Sequence, residues 1–169
     1  IKVLAGHDAA HIGDGLDCLI ISAALSCDID EVRSARERGI PVFYRGEILP
    51  ELLPGYFSIA VCGTHGKTST AFFAAQVLSE SGQDPSWCIG GEMAESIGAS
   101  GHGDGNIMVV EADESDGTVR NYHPDIAVIT NIEFDHMEHF ADENDFKECF
   151  KELINNARRK VVYCADDPI

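Results

Sequence analysis

The fold is decided by residues 57–80, which read FSIAVCGTHGKTSTAFFAAQVLSE. Residues 57–62 are a short apolar, β-branched run and predict a buried strand. Residues 63–67 form a loop flanked by glycines, and residues 68–80 predict an apolar helix that stops near Gly82. A strand, a glycine loop and a helix in this order are typical of an α/β protein with a mostly parallel sheet.

The same alternation of short β-branched runs and helical stretches continues on both sides of this segment. Asp28 or Asp30 is the candidate N-cap of the first helix, which Gly39 should end. The remaining predicted strands are 16–23, 42–44, 107–111, 126–131 and 160–164, the remaining helices are 28–38, 47–53 and 145–157, and a glycine-rich loop covers 98–106.

A turn at Pro54-Gly55 is the candidate boundary between two α/β units, residues 1–55 and 56–169. The first unit is too small to be a complete domain of this type, since a single core needs more chain to bury enough surface. Residues 165–169 begin a new turn rather than end a fold. We therefore expect the chain to be a fragment of a longer protein.

Composition excludes several classes of function. With 12 basic and 29 acidic side chains the formal net charge is −17, which argues against nucleic acid as a partner. A hydrophobic share of 44% excludes wholesale disorder, and no apolar run approaches the roughly 20 residues that span a membrane.

The six cysteines form no C-x-x-C pair and lie mostly in apolar runs. They predict buried free thiols in a reducing, cytosolic setting rather than a zinc or disulfide framework.

The loop after the first quoted strand has the composition of a phosphate site. Backbone N–H groups of such a loop, with the positive end of a helix behind them, cradle phosphates. Lys67 would reach the β- and γ-phosphates, and the Thr68 hydroxyl would coordinate Mg²⁺. The usual pattern G-x-x-x-x-G-K-[ST] places a glycine where this chain has Val61, and the loop carries Gly63 instead. The residues expected to contact a nucleotide are Gly63, Thr64, His65, Gly66, Lys67, Thr68 and Ser69.

A helix N-terminus that contains Gly-Lys-Thr by chance is the alternative to a nucleotide-binding loop. The flanking strand and helix favour nucleotide binding.

A second cluster, VVEADESD at residues 109–116, ends the strand 107–111. Carboxylates at this edge of a parallel sheet lie where ligands bind, and Mg²⁺ prefers oxygen ligands. The alternative is a solvated acidic turn. A phosphate loop beside the cluster favours a metal site.

A third cluster, TNIEFDHMEH at residues 130–139, follows another buried strand. His136 and His139 with the nearby carboxylates would suit zinc, but H-x-x-H is not the i, i+4 spacing that places two imidazoles on one helical face. We favour His136 alone, as a ligand of Mg²⁺ or a phosphate donor, and interpret His139 as a surface residue.

In this order and spacing, the three clusters closely resemble the Mur ligases, ATP-dependent enzymes that add amino acids to peptidoglycan precursors. The matching motifs are GTHGKTS, EADESD and TNIEFDHMEHF, and residues 35–42 with 47–49 resemble the end of the family's UDP-binding domain. The resemblance implies that residues 1–55 are the C-terminal part of a Rossmann-like domain that binds the UDP substrate. Residues 56–169 would be the N-terminal part of the central ATP-binding domain, with a P-loop and a mostly parallel sheet.

The resemblance also implies a reaction. The lactyl carboxylate of UDP-N-acetylmuramate would attack the γ-phosphate of ATP, and the amine of L-alanine would displace phosphate from the resulting acyl phosphate. Catalysis would fall to Lys67, Glu111 and His136, with Thr68, Glu111 and His136 as the Mg²⁺ ligands. Asn131 would orient phosphate or metal-bound water, and His65 would hydrogen-bond the substrate carboxylate.

Alternatives within and outside the family remain open. A ligase that recycles a tripeptide onto UDP-N-acetylmuramate shares the motifs, folate and cyanophycin-type ligases are more distant, and a nucleotide-binding module without turnover is the non-enzymatic alternative. The presence of Thr68, Glu111 and His136 together favours an enzyme, and the resemblance implies that it works in the bacterial cytoplasm. Residues 22–24 and 28–30 depart from the family pattern for uridine contacts. The glycine-rich loop that binds uridine diphosphate in the family is not found in this sequence. We expect the isolated chain to be inactive. The sequence makes no prediction of oligomeric state.

Overall fold

The structure, a computed structural model, describes residues 2–22, 25–26, 28–91, 97–134 and 140–166. The chain divides into two compact units, Ile1–Ile48 and Leu49–Ile169. Each unit is an α/β arrangement of its own, as the alternation of sequence patterns predicts.

The first unit pairs two short parallel strands, in register from Leu19 opposite Val42 to Ile21 opposite Tyr44. Strand β1 is therefore only three residues long, shorter than the predicted 16–23, because its partner offers three residues for pairing. The first helix, α1, buries Val32 and Ala35. The bounds are β1 Leu19–Ile21, α1 Asp30–Glu37, β2 Val42–Tyr44 and α2 Arg45–Ile48, with a 3₁₀ turn at Ala9–His11.

The predicted start of α1 is wrong in detail. Ile29 is the N-cap residue, with extended backbone and no capping hydrogen bond from its side chain. Asp30 lies in the first turn instead, where a negative charge is stabilised by the positive end of the helix. The predicted stop is confirmed: the helix ends at Glu37, and Gly39 follows with a φ of +70°.

The second unit is built on one sheet, in which the described strands lie in the order β5-β4-β6-β3-β7-β8. All neighbours are parallel except β5, which pairs antiparallel with β4 at the edge. This confirms the predicted mostly parallel sheet. The bounds are β3 Phe57–Cys62, α3 Lys67–Glu80, β4 Ser86–Cys88, β5 Ser100–Gly101, β6 Ile107–Glu111, β7 Ile126–Ile129, α4 Glu143–Asn156 and β8 Lys160–Tyr163, with 3₁₀ turns at Leu49–Leu52 and Thr118–Asn121.

Helices cover both faces of this sheet. Side chains alternate across a strand, so Ala60 and Cys62 face one core cluster while Val61 between them faces the other. The first cluster contains Phe146 of α4, and the second contains Phe72 of α3. Burial on both faces explains why β3 is apolar at every position except Ser58.

Strands β4 and β5 were missed by the sequence patterns. Both are very short, and β5 lies inside the predicted glycine-rich loop 98–106. Gly101 is required there because a Cβ at this position would lie 2.2 Å from the ring of Trp87. A pairing that depends on one aromatic ring against a missing side chain leaves no periodic signal in the sequence.

Of the described cysteines, Cys18, Cys62, Cys149 and Cys164 are free thiols, as predicted, but their burial differs. Cys62 and Cys149 are buried, whereas Cys164 is exposed, contrary to the expectation of burial. Among the described residues, no helix has both the length and the apolar character needed to cross a membrane.

Asp125, directly before β7, ties together the beginnings of three strands. The Ser58 backbone N–H donates to Asp125 Oδ2 at 3.0 Å, and Arg159 Nε donates to Asp125 Oδ1 at 3.0 Å. The Asp125 backbone N–H donates in turn to Ser58 Oγ at 3.1 Å. The hydrogen bond from Ser58, together with the charge of Arg159, lowers the pKa of Asp125, although burial opposes this shift.

Because the folded-state pKa is lowered, Asp125 contributes stability above its unfolded value of about 3.9, and this contribution is lost as pH falls through the folded-state pKa. We expect Asp125→Asn to reduce the free energy of unfolding at pH 7 by about 1–3 kcal/mol. Urea denaturation of both proteins at pH 7 and below pH 3 measures the effect. A deficit of equal size at both pH values would contradict the role of the charge.

Candidate functional site

The carboxyl ends of β3, β6 and β7 meet at one edge of the sheet, since the three strands are parallel neighbours. The loop 63–66 follows β3, Glu111 ends β6, and Thr130 and Asn131 follow β7. The structure therefore brings together the loop residues, Glu111 and Asn131, which are far apart in sequence. His136 and His139 lie outside the described residues, so the role of His136 stays a prediction.

The loop turns at Gly63, which explains the departure from the usual glycine spacing. Val61 lies inside β3 and is fully buried, so the chain has no need of a glycine there. Gly63 has a φ of +130°, and a Cβ on it would lie 2.2 Å from Thr130 Oγ1 and 2.8 Å from the Asn131 carbonyl oxygen. The position tolerates only glycine, for backbone and packing reasons alike.

Asn131, which follows the neighbouring strand β7, holds the loop through hydrogen bonds. The His65 backbone N–H donates to Asn131 Oδ1 at 2.9 Å, and Asn131 Nδ2 donates to the His65 carbonyl at 2.9 Å. Thr130 Oγ1 also donates to that carbonyl, at 2.6 Å, and the Thr64 N–H donates to the Asn131 carbonyl at 3.1 Å. The side chain of Asn131 thus holds the loop, a role that its place in the sequence motif did not suggest.

The other loop residues shape the approach to α3. Gly66 is the N-cap residue of α3 and takes the left-handed conformation, with a φ of +81°. Because glycine has no side chain, no side-chain hydrogen bond caps the helix. The hydroxyl of Thr64 donates to the Glu133 carbonyl at 2.9 Å, and His65 is exposed, with Nε2 3.6 Å from Glu133 Oε2. Ser69 is exposed in the first helical turn. The N-terminus of a 14-residue helix is thereby presented to the surface, where backbone N–H groups and the helix dipole attract an anion.

Lys67 is held against the loop by a buried acid. Its Nζ lies 2.9 Å from Glu114 Oε2 and 3.0 Å from Oε1, and it donates to the Gly63 carbonyl at 2.8 Å. The Glu114 side chain is 0% exposed and that of Lys67 12%. Burial raises the pKa of Glu114, and the hydrogen bond and charge of Lys67 oppose this shift. Glu114 belongs to the acidic cluster of the sequence, but the sequence pattern predicted no role for it at the loop.

Glu111 is the carboxylate in contact with the loop hydroxyl. Thr68 Oγ1 donates to Glu111 Oε1 at 3.1 Å, and the Gly90 backbone N–H donates to Glu111 Oε2 at 2.7 Å. A Cβ on Gly90 would lie 2.8 Å from Glu111 Oε1, so glycine allows this approach. Gly90, at the end of β4, was not identified from the sequence.

Thr68 and Glu111 fit a small, hard cation. A hydroxyl and a carboxylate in contact beside a phosphate loop offer the oxygen ligands that Mg²⁺ prefers, and Mg²⁺ usually binds through one or two carboxylates plus phosphate oxygens. Among the residues that the structure describes, no group of three or more His, Cys, Asp or Glu side chains could hold a metal.

The fold and this site define a class of protein that comparison confirms. Residues 61–169 match the Mur ligase middle domain, and the chain belongs to the Mur ligase family. Among its relatives, it is 41% identical over 99% of its length to the UDP-N-acetylmuramate–L-alanine ligase of Kineococcus radiotolerans, covering 36% of that protein. It is 44% identical over 91% of its length to the enzyme of the same name from Desulfosudis oleivorans, covering 34%.

Solved structures agree. The UDP-N-acetylmuramate-alanine ligase MurC from Thermotoga maritima matches 96% of this chain with a TM-score of 0.86 and 28% identity, over 38% of its own length. The UDP-N-acetylmuramate:L-alanyl-gamma-D-glutamyl-meso-diaminopimelate ligase from Neisseria meningitides matches 96% with a TM-score of 0.80 and 28% identity, over 56% of its length. The chain thus spans about a third of the curated relatives it matches.

We expect Gly63→Ala to destabilise the protein by at least about 2 kcal/mol, because the new methyl group meets Thr130 and the backbone of Asn131 in a strained conformation. Urea denaturation measures the loss. The matched control is Gly82→Ala, which also has a positive φ (+77°) but open space around the added Cβ. Equal losses in the two variants would show that the close packing at Gly63 has no energetic weight.

Proposed function

We propose that this chain is part of an ATP-dependent ligase that joins L-alanine to the lactyl carboxylate of UDP-N-acetylmuramate. The curated relatives carry this activity in their names, and the chain aligns with them over nearly its whole length. Because it spans about a third of them, the activity is proposed for a longer protein that contains it. The setting is peptidoglycan precursor synthesis in the bacterial cytoplasm, with ATP and Mg²⁺ as cofactors.

One observation carries the proposal: the Thr68–Glu111 contact lies beside Lys67 and the open N-terminus of α3. A metal ion at this place would be held by Thr68 Oγ1 and Glu111, with His136 as the predicted further ligand. When bound, Mg²⁺ would neutralise charge on the phosphate oxygens.

The residues of the loop then act mainly by position and charge. Attack of the lactyl carboxylate forms an O–P bond to the γ-phosphorus and releases ADP, with charge spread over the equatorial phosphoryl oxygens. Lys67 and the N–H groups at the start of α3 stabilise that charge. The amine of L-alanine then forms the C–N bond, phosphate leaves, and the ammonium gives up its proton. We assign no residue of this chain to that last transfer.

The order of domains follows the same proposal. Residues 1–55 would complete a UDP-binding domain and residues 56–169 would begin the ATP-binding domain. The roles of Gly63, Thr64, His65, Gly66, Ser69 and Asn131 toward the nucleotide or substrate belong to this proposal as well. Asn131 hydrogen-bonds the His65 backbone, which supports an indirect role through the loop.

A tripeptide-recycling ligase is the second candidate, supported by the structural similarity to the Neisseria meningitides enzyme. The segment Asp113-Glu114-Ser115-Asp116 and the relatives at 39–44% identity favour the alanine enzyme.

The substrate is tested by ADP release from the full-length protein with UDP-N-acetylmuramate and, separately, L-alanine, L-serine, glycine or the L-Ala-D-Glu-diamino-acid tripeptide. We expect L-alanine to give the highest kcat/KM. Turnover with the tripeptide alone would reassign the protein to recycling, and no turnover with any acceptor would leave a nucleotide-binding module.

The metal site is tested by Thr68→Ala and Glu111→Gln in the same assay. Thr68→Ala removes an oxygen ligand and Glu111→Gln removes the negative charge of the other, so we expect kcat/KM to fall about 10²-fold or more and the Mg²⁺ concentration for half-maximal rate to rise. Ser79→Ala removes a hydroxyl from the same helix, far from the loop, and serves as the control for Thr68. A Mg²⁺ requirement unchanged in both site variants would contradict the assignment.

A further inference from the structure

We propose that Glu114 and phosphate compete as counter-anions for Lys67, and that Glu114 sets the affinity for ATP because phosphate must take the lysine from it. Glu114 is then a positioning residue, which acts on the nucleotide through Lys67. The inference rests on the proposed function, since it requires that the loop binds the phosphates of ATP.

The first support is the geometry of the ion pair. Both carboxylate oxygens of Glu114 lie within 3.0 Å of Lys67 Nζ, and the carboxylate is completely removed from solvent. A buried carboxylate is costly to leave without its partner charge. Lys67 is therefore held strongly as long as no other anion competes for it.

The second support is the number of donors. A lysine ammonium has three N–H donors, and Lys67 Nζ already contacts the carbonyls of Gly63 at 2.8 Å and Thr64 at 3.4 Å in addition to Glu114. A β- or γ-phosphate oxygen can be bound only if one of these contacts is given up or shared. The carbonyls belong to the loop that would surround the phosphate, whereas Glu114 comes from a different segment.

The third support is that the Glu114 segment is built rigidly. The Ser115 N–H donates to Asp113 Oδ1 at 3.0 Å, and the Gly117 N–H donates to the Glu114 carbonyl at 2.9 Å. The Thr118 N–H donates to Asp116 Oδ1 at 3.0 Å. These turns hold the Glu114 backbone in place, so Lys67 rather than Glu114 has to move when phosphate arrives.

The decisive variant is Glu114→Gln, which keeps an oxygen acceptor for Lys67 but removes the competing charge. We expect the Kd for a non-hydrolysable ATP analogue, adenylyl imidodiphosphate with Mg²⁺, to become lower by roughly 5-fold or more. A merely structural role would weaken binding, so a gain in affinity is specific to this proposal. Lys67→Ala cannot separate the two roles, because it removes the phosphate contact together with the Lys67–Glu114 ion pair.

Isothermal titration calorimetry on the full-length protein measures the change, with thermal denaturation as the check on folding. Glu148→Gln, on the exposed surface of α4, is the control for the altered net charge and should leave the Kd unchanged. AMP, which has no β- or γ-phosphate, should bind Glu114→Gln and wild type equally. If Glu114→Gln does not fold, Glu114→Asp withdraws the charge by one methylene, and we expect it to bind the analogue more tightly than wild type.

The outcomes separate the two proposals. Absence of analogue binding by the wild-type protein would overturn the proposed function. Wild-type binding with an unchanged or higher Kd in the folded Glu114 variant would overturn the role of Glu114 and leave the proposed function standing.

Discussion

The close approach of Gly63 to the chain after β7 is the constraint on which the site depends. Thr130 Oγ1 and the Asn131 carbonyl occupy the space that a side chain at position 63 would need. With the loop pressed against this neighbour, the Asn131 amide can bind both backbone polar groups of His65. The loop is thereby fixed between two parallel strands, and α3 begins at Lys67 with its N-terminus at the sheet edge.

The chain is strongly acidic, so any attraction for an anionic ligand must come from a few local groups. A net charge of −17 repels an anionic ligand at long range, so attraction has to come from local groups such as the helix N-terminus, Lys67 and the metal that we propose at Thr68 and Glu111. The Lys67 ammonium is itself paired with the buried Glu114 carboxylate. Affinity for phosphate is then a difference between two ionic contacts of one lysine, rather than the full strength of either.

The two carboxylates of the acidic cluster, Glu111 and Glu114, contact different partners. Glu111 is reached by the Gly90 N–H and the Thr68 hydroxyl because Gly90 has no side chain to block it. Glu114, three residues later, is turned into the protein and meets the ammonium of Lys67 instead. Two acids of one sequence motif thus differ in partner and burial, which separates the proposed metal ligand, Glu111, from the counter-ion of Lys67, Glu114.

Local sequence patterns are enough to predict the parallel α/β framework and the loop between β3 and α3. Strands β2, β3 and β6 were predicted to the residue, because buried apolar runs between turn residues are a local signal. Only the tertiary structure shows the short β4–β5 pair, the approach of Gly90 to Glu111, and the pairing of Lys67 with Glu114. Each of these depends on which distant segments the sheet order makes neighbours, and sheet order is set by the packing of the whole unit rather than by any one stretch of sequence.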